Sequence, residues 1–375
     1  MVRDDRRSDS RPLEIGIWLP GLDPASTAFV RDAERLGVTS VWAPEAWAYD
    51  ALTPLAHLAA VTDTIRLATG IVQLGSRSPA LLAMSGLALQ AMSGNRFVLG
   101  LGTSGPQVME GWHGIPFDRP VTRTRETIDI VRSITAGERL AYDGRIYQLP
   151  RPGGEGRPIR SPVAGTPIPI YLAALGPANL RLTGERADGW IGNSFIPESA
   201  EVFLAPMRAG AESAGRTLDD IELTVSVGLE FTDDLDEAGR RHAAGYAFTF
   251  GAMGSATTNF YNEAFARQGF GDDVAEVERL WRAGDRDAAR ARVPLAIGLD
   301  TNLVGDDARI TERLRAYRDV GVRTLRVGLP EGEPGARLDE LARLIDLVGV
   351  VNRTGADPSP SGAVRAGKAG KAGGA

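Results

Sequence analysis

The chain contains no cysteine and only three histidines, His57, His113 and His242. The first absence excludes disulfides, a thiolate nucleophile and thiolate-held metals. The second leaves no His-rich metal cluster, because the three imidazoles are scattered along the sequence, and no metal ligands are expected. Any redox chemistry must then come from an organic cofactor. Lysine is almost missing, with two residues in the C-terminal tail against forty arginines. Positive charge is not in excess: 42 Lys and Arg face 48 Asp and Glu, giving a formal net charge of −6 and a pI near 5.4. That balance is the reverse of a nucleic-acid footprint. No run approaches the roughly 18 to 20 unbroken apolar residues of a membrane span, and the polar opening MVRDDRRSDS is not a signal peptide. The expectation is a cytoplasmic protein acting on a small molecule.

What is present is a regular alternation. Short apolar runs at Ile15 to Leu19, Ser40 to Ala43, Ile65 to Thr69, Phe97 to Leu101, Ile170 to Ala173, Gly189 to Ile191, Leu223 to Val227 and Thr324 to Gly328 are separated by amphipathic stretches. This is the mark of repeated βα units and a parallel sheet. Asp23-Pro24, Ser78-Pro79 and Gly176-Pro177 read as helix starts, and Gly37, Gly94, Gly137, Gly215 and Gly321 as helix ends. Eight such units predict an α/β fold, a (β/α)8 TIM barrel, with roughly 90 residues of insertion beyond the ~250 typical of the architecture. The barrel is predicted over 12–352, between a flexible segment 1–11 and a low-complexity tail 353–375 expected to be disordered. Insertions fall at 103–119, at 140–168, where Asp143-Gly144 signals a hairpin, and at 231–303. The last is helix-rich, with an aromatic stretch containing Tyr246, Phe248, Phe250, Met253 and Phe260, and is expected to cover the active site. Those five side chains suit a helical core and a substrate wall equally well.

The most informative segment is FVLGLGTSGPQVMEGWH, residues 97–113. Glycine inside a strand marks close approach of another backbone or a ligand. Thr103, Ser104 and Gly105 then bring hydroxyls and bare N–H groups to a strand's carboxyl end, where parallel α/β folds bind ligands. Ala174, Leu175, Gly176 and Pro177 follow the fifth strand and open a helix, so free N–H groups and the positive end of a macrodipole suit a phosphate; an ordinary βα turn would read the same way. Gly70 sits where the third strand should be regular, either ending it or allowing a bulge behind a flat ring. Glu45 lies among Trp42, Trp47, Tyr49 and Asp50 after the second strand. It is either a carboxyl raised by an apolar cleft for proton transfer, or, like Asp50, a cap on the helix from Leu52. His113 is the only histidine with an expected route to the cleft.

Together, GIWLP, SVWAPEAWAYDALTPLAHLAAVTDTIRLATGIVQLGSRSPALLAM, GNRFVLGLGTSGPQVMEGWHG, PIPIYLAALGPANLRLTGERADGWIGN and VRTLRVGL resemble the bacterial luciferase-like superfamily over about 12–350. The GTSGPQVMEGWHG form is similar to its coenzyme F420-dependent oxidoreductase branch. The resemblance implies a 5-deazaflavin cofactor, hydride exchange with an organic substrate, and often a homodimer. It places a bulge, often a non-prolyl cis peptide behind the ring, at Gly70-Ile71. It places the phosphate turn at Ala174 to Pro177, with Thr103 to Gly105 lining the cofactor's other side. Several deazaflavin enzymes carry an Asp-His pair after the second strand; here the position reads Glu45-Ala46, so Glu45 or His113 becomes the candidate acid. An FMN-dependent monooxygenase on the same fold is the nearest alternative, and a cofactor-binding protein without catalysis a different one.

Overall fold

Eight parallel strands close on themselves in the computed structural model, which describes residues 11–163, 165–253 and 259–354. They are β1 (Glu14–Trp18), β2 (Ser40–Ala43), β3 (Arg66–Thr69), β4 (Phe97–Gly102), β5 (Ile170–Ala173), β6 (Gly189–Gly192), β7 (Glu222–Phe231) and β8 (Val322–Gly328). Each pairs with its successor, and β8 returns to β1 from Glu14↔Thr324 to Ile17↔Val327. This is the expected (β/α)8 barrel. Side chains alternate faces along each strand. Ile15, Ile17, Val41, Leu67, Leu99, Ile170, Leu172, Val225 and Leu325 point outward into the core beneath the helices. Trp42, Ala68, Val98, Tyr171 and Ile191 fill the barrel's interior, with Trp18, Ile71 and Ala173 toward its mouth.

The helices begin and end where local chemistry dictates. In α1 (Pro24–Leu36) the Asp23 carboxylate accepts from the Ser26 N–H; α2 (Leu52–Ala59) follows, and in α3 (Pro79–Ser93) Ser78 accepts from Leu81. Both helices stop at glycines in left-handed backbone, Gly37 at φ 104° and Gly94 at φ 65°. The outer face of α3 leaves Leu81, Met84 and Met92 exposed. The hairpin expected at Asp143-Gly144 pairs Tyr142–Asp143 with Gln148–Leu149. Its turn is held by the Glu126 carboxylate, which accepts from the N–H groups of Arg145, Ile146 and Tyr147 at 2.7, 3.0 and 2.9 Å.

Three boundaries differ from expectation. β7 runs to Phe231, and a short segment, Leu303–Gly305, pairs beside that extension. Three residues between helices carry too weak an alternation to be seen in sequence. The final helix, Pro334–Thr354, continues two residues into the stretch read as tail because Leu344, Val348 and Val351 still bury its inner face. The rest of the tail, 355–375, and residues 1–10 lie outside the described residues. Among the described residues no helix is long and apolar enough to cross a membrane.

Charge closes the barrel floor. Arg66 forks onto Glu222 at 3.0 and 2.9 Å and reaches Glu14 at 3.1 Å, while Thr324 donates to Glu222 at 3.0 Å. Burial alone would raise the Glu222 carboxyl, but the Arg66 guanidinium holds it below the usual range. A carboxyl lowered by folding stabilises above its unfolded pKa and loses that stabilisation as pH falls through the folded value. Glu222→Gln is expected to cost about 3 kcal/mol in urea unfolding at pH 7. The difference from the unsubstituted protein should shrink as pH falls below about 4; a gap that persists there would contradict the assignment.

Candidate functional site

The rim of the barrel is shaped by a broken ladder. β3 and β4 pair at Leu67↔Phe97 and Ala68↔Val98, and pairing resumes only at Val72↔Leu101 and Gln73↔Gly102. Thr69, Gly70 and Ile71 thus oppose Leu99 and Gly100, a one-residue bulge. The Thr69 hydroxyl replaces the missing rungs, accepting from the Gly100 N–H and donating to the Gly100 carbonyl, both at 2.8 Å. The two glycines in FVLGLG are explained by this bulge. A Cβ on Gly100 would lie 1.9 Å from the Thr69 carbonyl oxygen, and one on Gly102 would lie 2.4 Å from Ile71 Cδ1. The Gly70–Ile71 peptide is cis.

Gly70 rests on indole rings, where a Cβ would come within 2.8 Å of Trp18 and 3.5 Å of Trp42. Gly70 thus lies flat against the two indoles, and a side chain at 70 would have to displace them. Beneath it lies Arg326, whose guanidinium carbon is 5.0 Å from the Trp18 ring centre and 5.2 Å from that of Trp42. It donates to the Gly192 carbonyl, and its Nε has no partner among the described residues. Burial pushes its pKa down to about 9, so the cation persists at neutral pH.

Glu45 and His113 meet through one glutamine. Arg77 grips both Glu45 oxygens at 2.8 Å, and these also accept from the N–H groups of Ala51 at 3.1 Å and Gln73 at 3.4 Å. Asp50 takes the N–H groups of Leu52 and Thr53, so it, rather than Glu45, caps that helix. The Gln73 side-chain nitrogen donates to the carbonyls of Glu45 at 3.3 Å and Ala46 at 3.0 Å. Its oxygen must therefore accept from His113 Nε2, 2.7 Å away, which places a proton on Nε2 and turns Nδ1 away from the glutamine. Of the other aromatics near Glu45, Trp42 is buried, while Trp47 and Tyr49 stand exposed at the rim.

Thr103 to Gly105 lead from β4 into a short helical turn, with Ser104 in left-handed backbone at φ 58°. Across β5, Ala174 and Leu175 run to Gly176, and the helix Pro177–Arg186 begins there without a side-chain cap. Two groups from the long insertion reach this turn. Phe260 lies 3.9 Å from where a Gly176 Cβ would be, and Arg267 donates to the Leu175 carbonyl at 2.6 Å while its Nε stays unpartnered among the described residues. An uncapped helix start beside a cation fits a phosphate. Arg267 lies some ninety positions from the turn, and no local signal announced it. Arg181 and Arg186 are tied instead to Glu185 and Asp129.

The insertion divides its aromatics between the two roles left open. Phe250 sits in the insertion's own core, edge-on to Phe265 at 5.0 Å, and Phe248 is half exposed against Trp281. Tyr246 stacks on Phe250 yet also lines a cavity with Asn193, Ser194, Thr249, Asn302 and His242. The expectation that His113 alone reaches the cleft is therefore corrected. The helix Leu235–Ala252 lies over the end of β7, so His242 faces the barrel mouth too. His57 stays on the outer helices, 3.2 Å from Thr27.

The chain belongs to the luciferase-like monooxygenase family, whose model matches residues 24–324. It is 36% identical over 345 residues, 89% of this chain and 98% of the other, to a Mycobacterium tuberculosis protein provisionally named a coenzyme F420-dependent oxidoreductase. Among solved structures, the F420-dependent tetrahydromethanopterin reductase of Methanopyrus kandleri superposes with a TM-score of 0.71 at 21% identity, covering 89% of this chain and 97% of that one. An F420-dependent secondary alcohol dehydrogenase bound to an F420–acetone adduct gives 0.69 at 16% identity, covering 90% and 99%.

Two substitutions test the rim. Gly100→Ala drives a methyl into a backbone carbonyl that cannot rotate away, and about 3 kcal/mol should be lost in chemical denaturation. Arg77→Leu leaves the Glu45 carboxylate buried and unpaired at a similar cost of about 3 kcal/mol. The double variant Glu45→Leu/Arg77→Leu should recover most of that loss, and strict additivity would show the pair to be uncoupled.

Proposed function

We propose that the chain is a coenzyme F420-dependent oxidoreductase acting on a small organic substrate. When bound, the 5-deazaflavin would supply a ring carbon that accepts or gives a hydride. The observation that carries this reading is the placement, on one rim, of a glycine bulge resting on two indoles and an uncapped helix start flanked by Arg267. The relative provisionally named for the same cofactor, similar over almost its whole length, supports it.

The residues divide the work. Gly70 and Ile71 carry the ring from below, and Thr103, Ser104 and Gly105 line its other side. Ala174, Leu175, Gly176 and Pro177 offer backbone to the phosphate, with Arg267 neutralising its charge. Of the two acid–base candidates, His113 has the free ring nitrogen with which to take or give a proton. Glu45, with both oxygens engaged by Arg77, acts by holding Gln73 and through it the imidazole. Closure by the insertion excludes water while binding orients the reactants. The exposed Leu81, Met84 and Met92 of α3 form the face through which two copies would associate.

Fluorescence titration of the purified protein with coenzyme F420 and with FMN tests the cofactor. Saturable F420 binding is expected, and binding of FMN alone would replace this reading with a flavin monooxygenase. Arg267→Ala should weaken F420 binding roughly tenfold, about 1.5 kcal/mol for one charge-assisted contact, while loss of its bond to the Leu175 carbonyl costs about 1 kcal/mol in unfolding of the cofactor-free protein.

A further inference from the structure

Beside β6 and β7 lies a cavity of about 220 Å³ lined by Asn193, Ser194, His242, Tyr246, Thr249 and Asn302. In the closed strand order β7 stands four strands from β3, so this cavity faces the Gly70 bulge across the barrel mouth. Among the described residues the lining is polar but carries no arginine, lysine or carboxylate, and this distinguishes it from the Arg267 turn.

Two of its groups are prepared for a ligand. The Ser194 hydroxyl is buried, its residue 2% exposed, and it has no hydrogen-bond partner among the described residues. It is set by left-handed backbone at φ 57° and by the Gln268 side chain, which donates to the Ser194 carbonyl at 2.8 Å. His242 Nε2 lies 3.0 Å from a Glu230 carboxylate oxygen. A carboxylate only accepts, so the Nε2 proton points at Glu230 and Nδ1 keeps its lone pair. Burial holds the imidazole below its ordinary pKa against the pull of Glu230, with Arg241 reinforcing the neutral form. The ring rests on Gly228, where a Cβ would come 2.8 Å from His242 Cε1 and 3.0 Å from Asn302 Oδ1, and Asn302 fixes that glycine by accepting its N–H at 2.6 Å.

We infer that this cavity is the substrate subsite and that it takes a neutral, hydroxyl-bearing molecule, one hydroxyl donating to His242 Nδ1 and a neighbouring oxygen accepting from Ser194 Oγ. The inference rests on the oxidoreductase reading, which supplies the cofactor across the mouth, and it adds the chemical class of the substrate. An anion finds no cation among the described lining residues, and an apolar alcohol would strand the Ser194 and His242 groups without partners, at a cost of the kind that makes hydrogen-bonding sites selective.

Saturation-transfer NMR on the full chain, with and without bound cofactor, tests it with a matched six-membered set: myo-inositol, inositol monophosphate and cyclohexanol. The polyol is expected to bind at least tenfold more tightly than either comparator and to lose tenfold or more in Ser194→Ala and in Glu230→Gln. Preference for the phosphate or for cyclohexanol would overturn the proposal, as would no polyol binding or binding indifferent to both substitutions. The ¹⁵N shifts of His242 at pH 7 should report a neutral Nε2–H ring, and a protonated ring would also overturn it. Cofactor affinity, measured separately by fluorescence, should be unchanged in Ser194→Ala, so a failure of cofactor binding is read apart from a failure of this subsite.

Discussion

One hydroxyl sustains the whole rim. Thr69 stands where β3 must leave β4, and by both donating to and accepting from Gly100 it substitutes for a pair of ladder bonds. Without it, two buried backbone groups would lose their partners at the place where the barrel can least admit water. The bulge so held turns Gly70 toward the two indoles and sends the chain on to Gln73, on which His113 depends. The seating of Gly70 and that of the histidine are thus two outcomes of the same departure from regular pairing.

Beneath Gly70 the barrel spends its polarity sparingly. The floor joins Arg66, Glu14 and Glu222 in an ion-paired cluster, a familiar way of closing a barrel from below. Higher up, Arg326 meets no carboxylate among the described residues, only one carbonyl and two aromatic faces. A cation left uncompensated in a low-dielectric interior projects its field farther than a paired one, and here it lies directly under the indoles that support Gly70.

Much of the fold was legible because its signals are local. Eight apolar runs of strand length, proline at helix starts and glycine at their ends all reflect backbone sterics that operate within a few residues, and these elements lie within a few residues of their expected positions. Gly70 and the glycines of FVLGLG could be flagged as unusual, but their cause, a carbonyl and a methyl from the neighbouring strand, is a tertiary fact. The same limit explains the rest. Arg77 as the partner of Glu45, Arg267 as the cation of the Gly176 turn and His242 as a cavity wall are all brought into place by packing between segments far apart in sequence. His242 looked like one polar residue on an amphipathic helix, and only the course of β7 beneath that helix shows which way it faces.

The return segment Leu303–Gly305, pairing with Leu229 to Phe231, sets the ends of the long insertion. The insertion leaves the barrel at Phe231 and re-enters at Leu303, one strand-width across and two residues back, so its two ends are held about 8 Å apart whatever lies between them. Closing so short a gap costs little more for a long excursion than for a brief one. The segment is in effect a socket, which fixes both ends of the insertion to the barrel independently of the length between them.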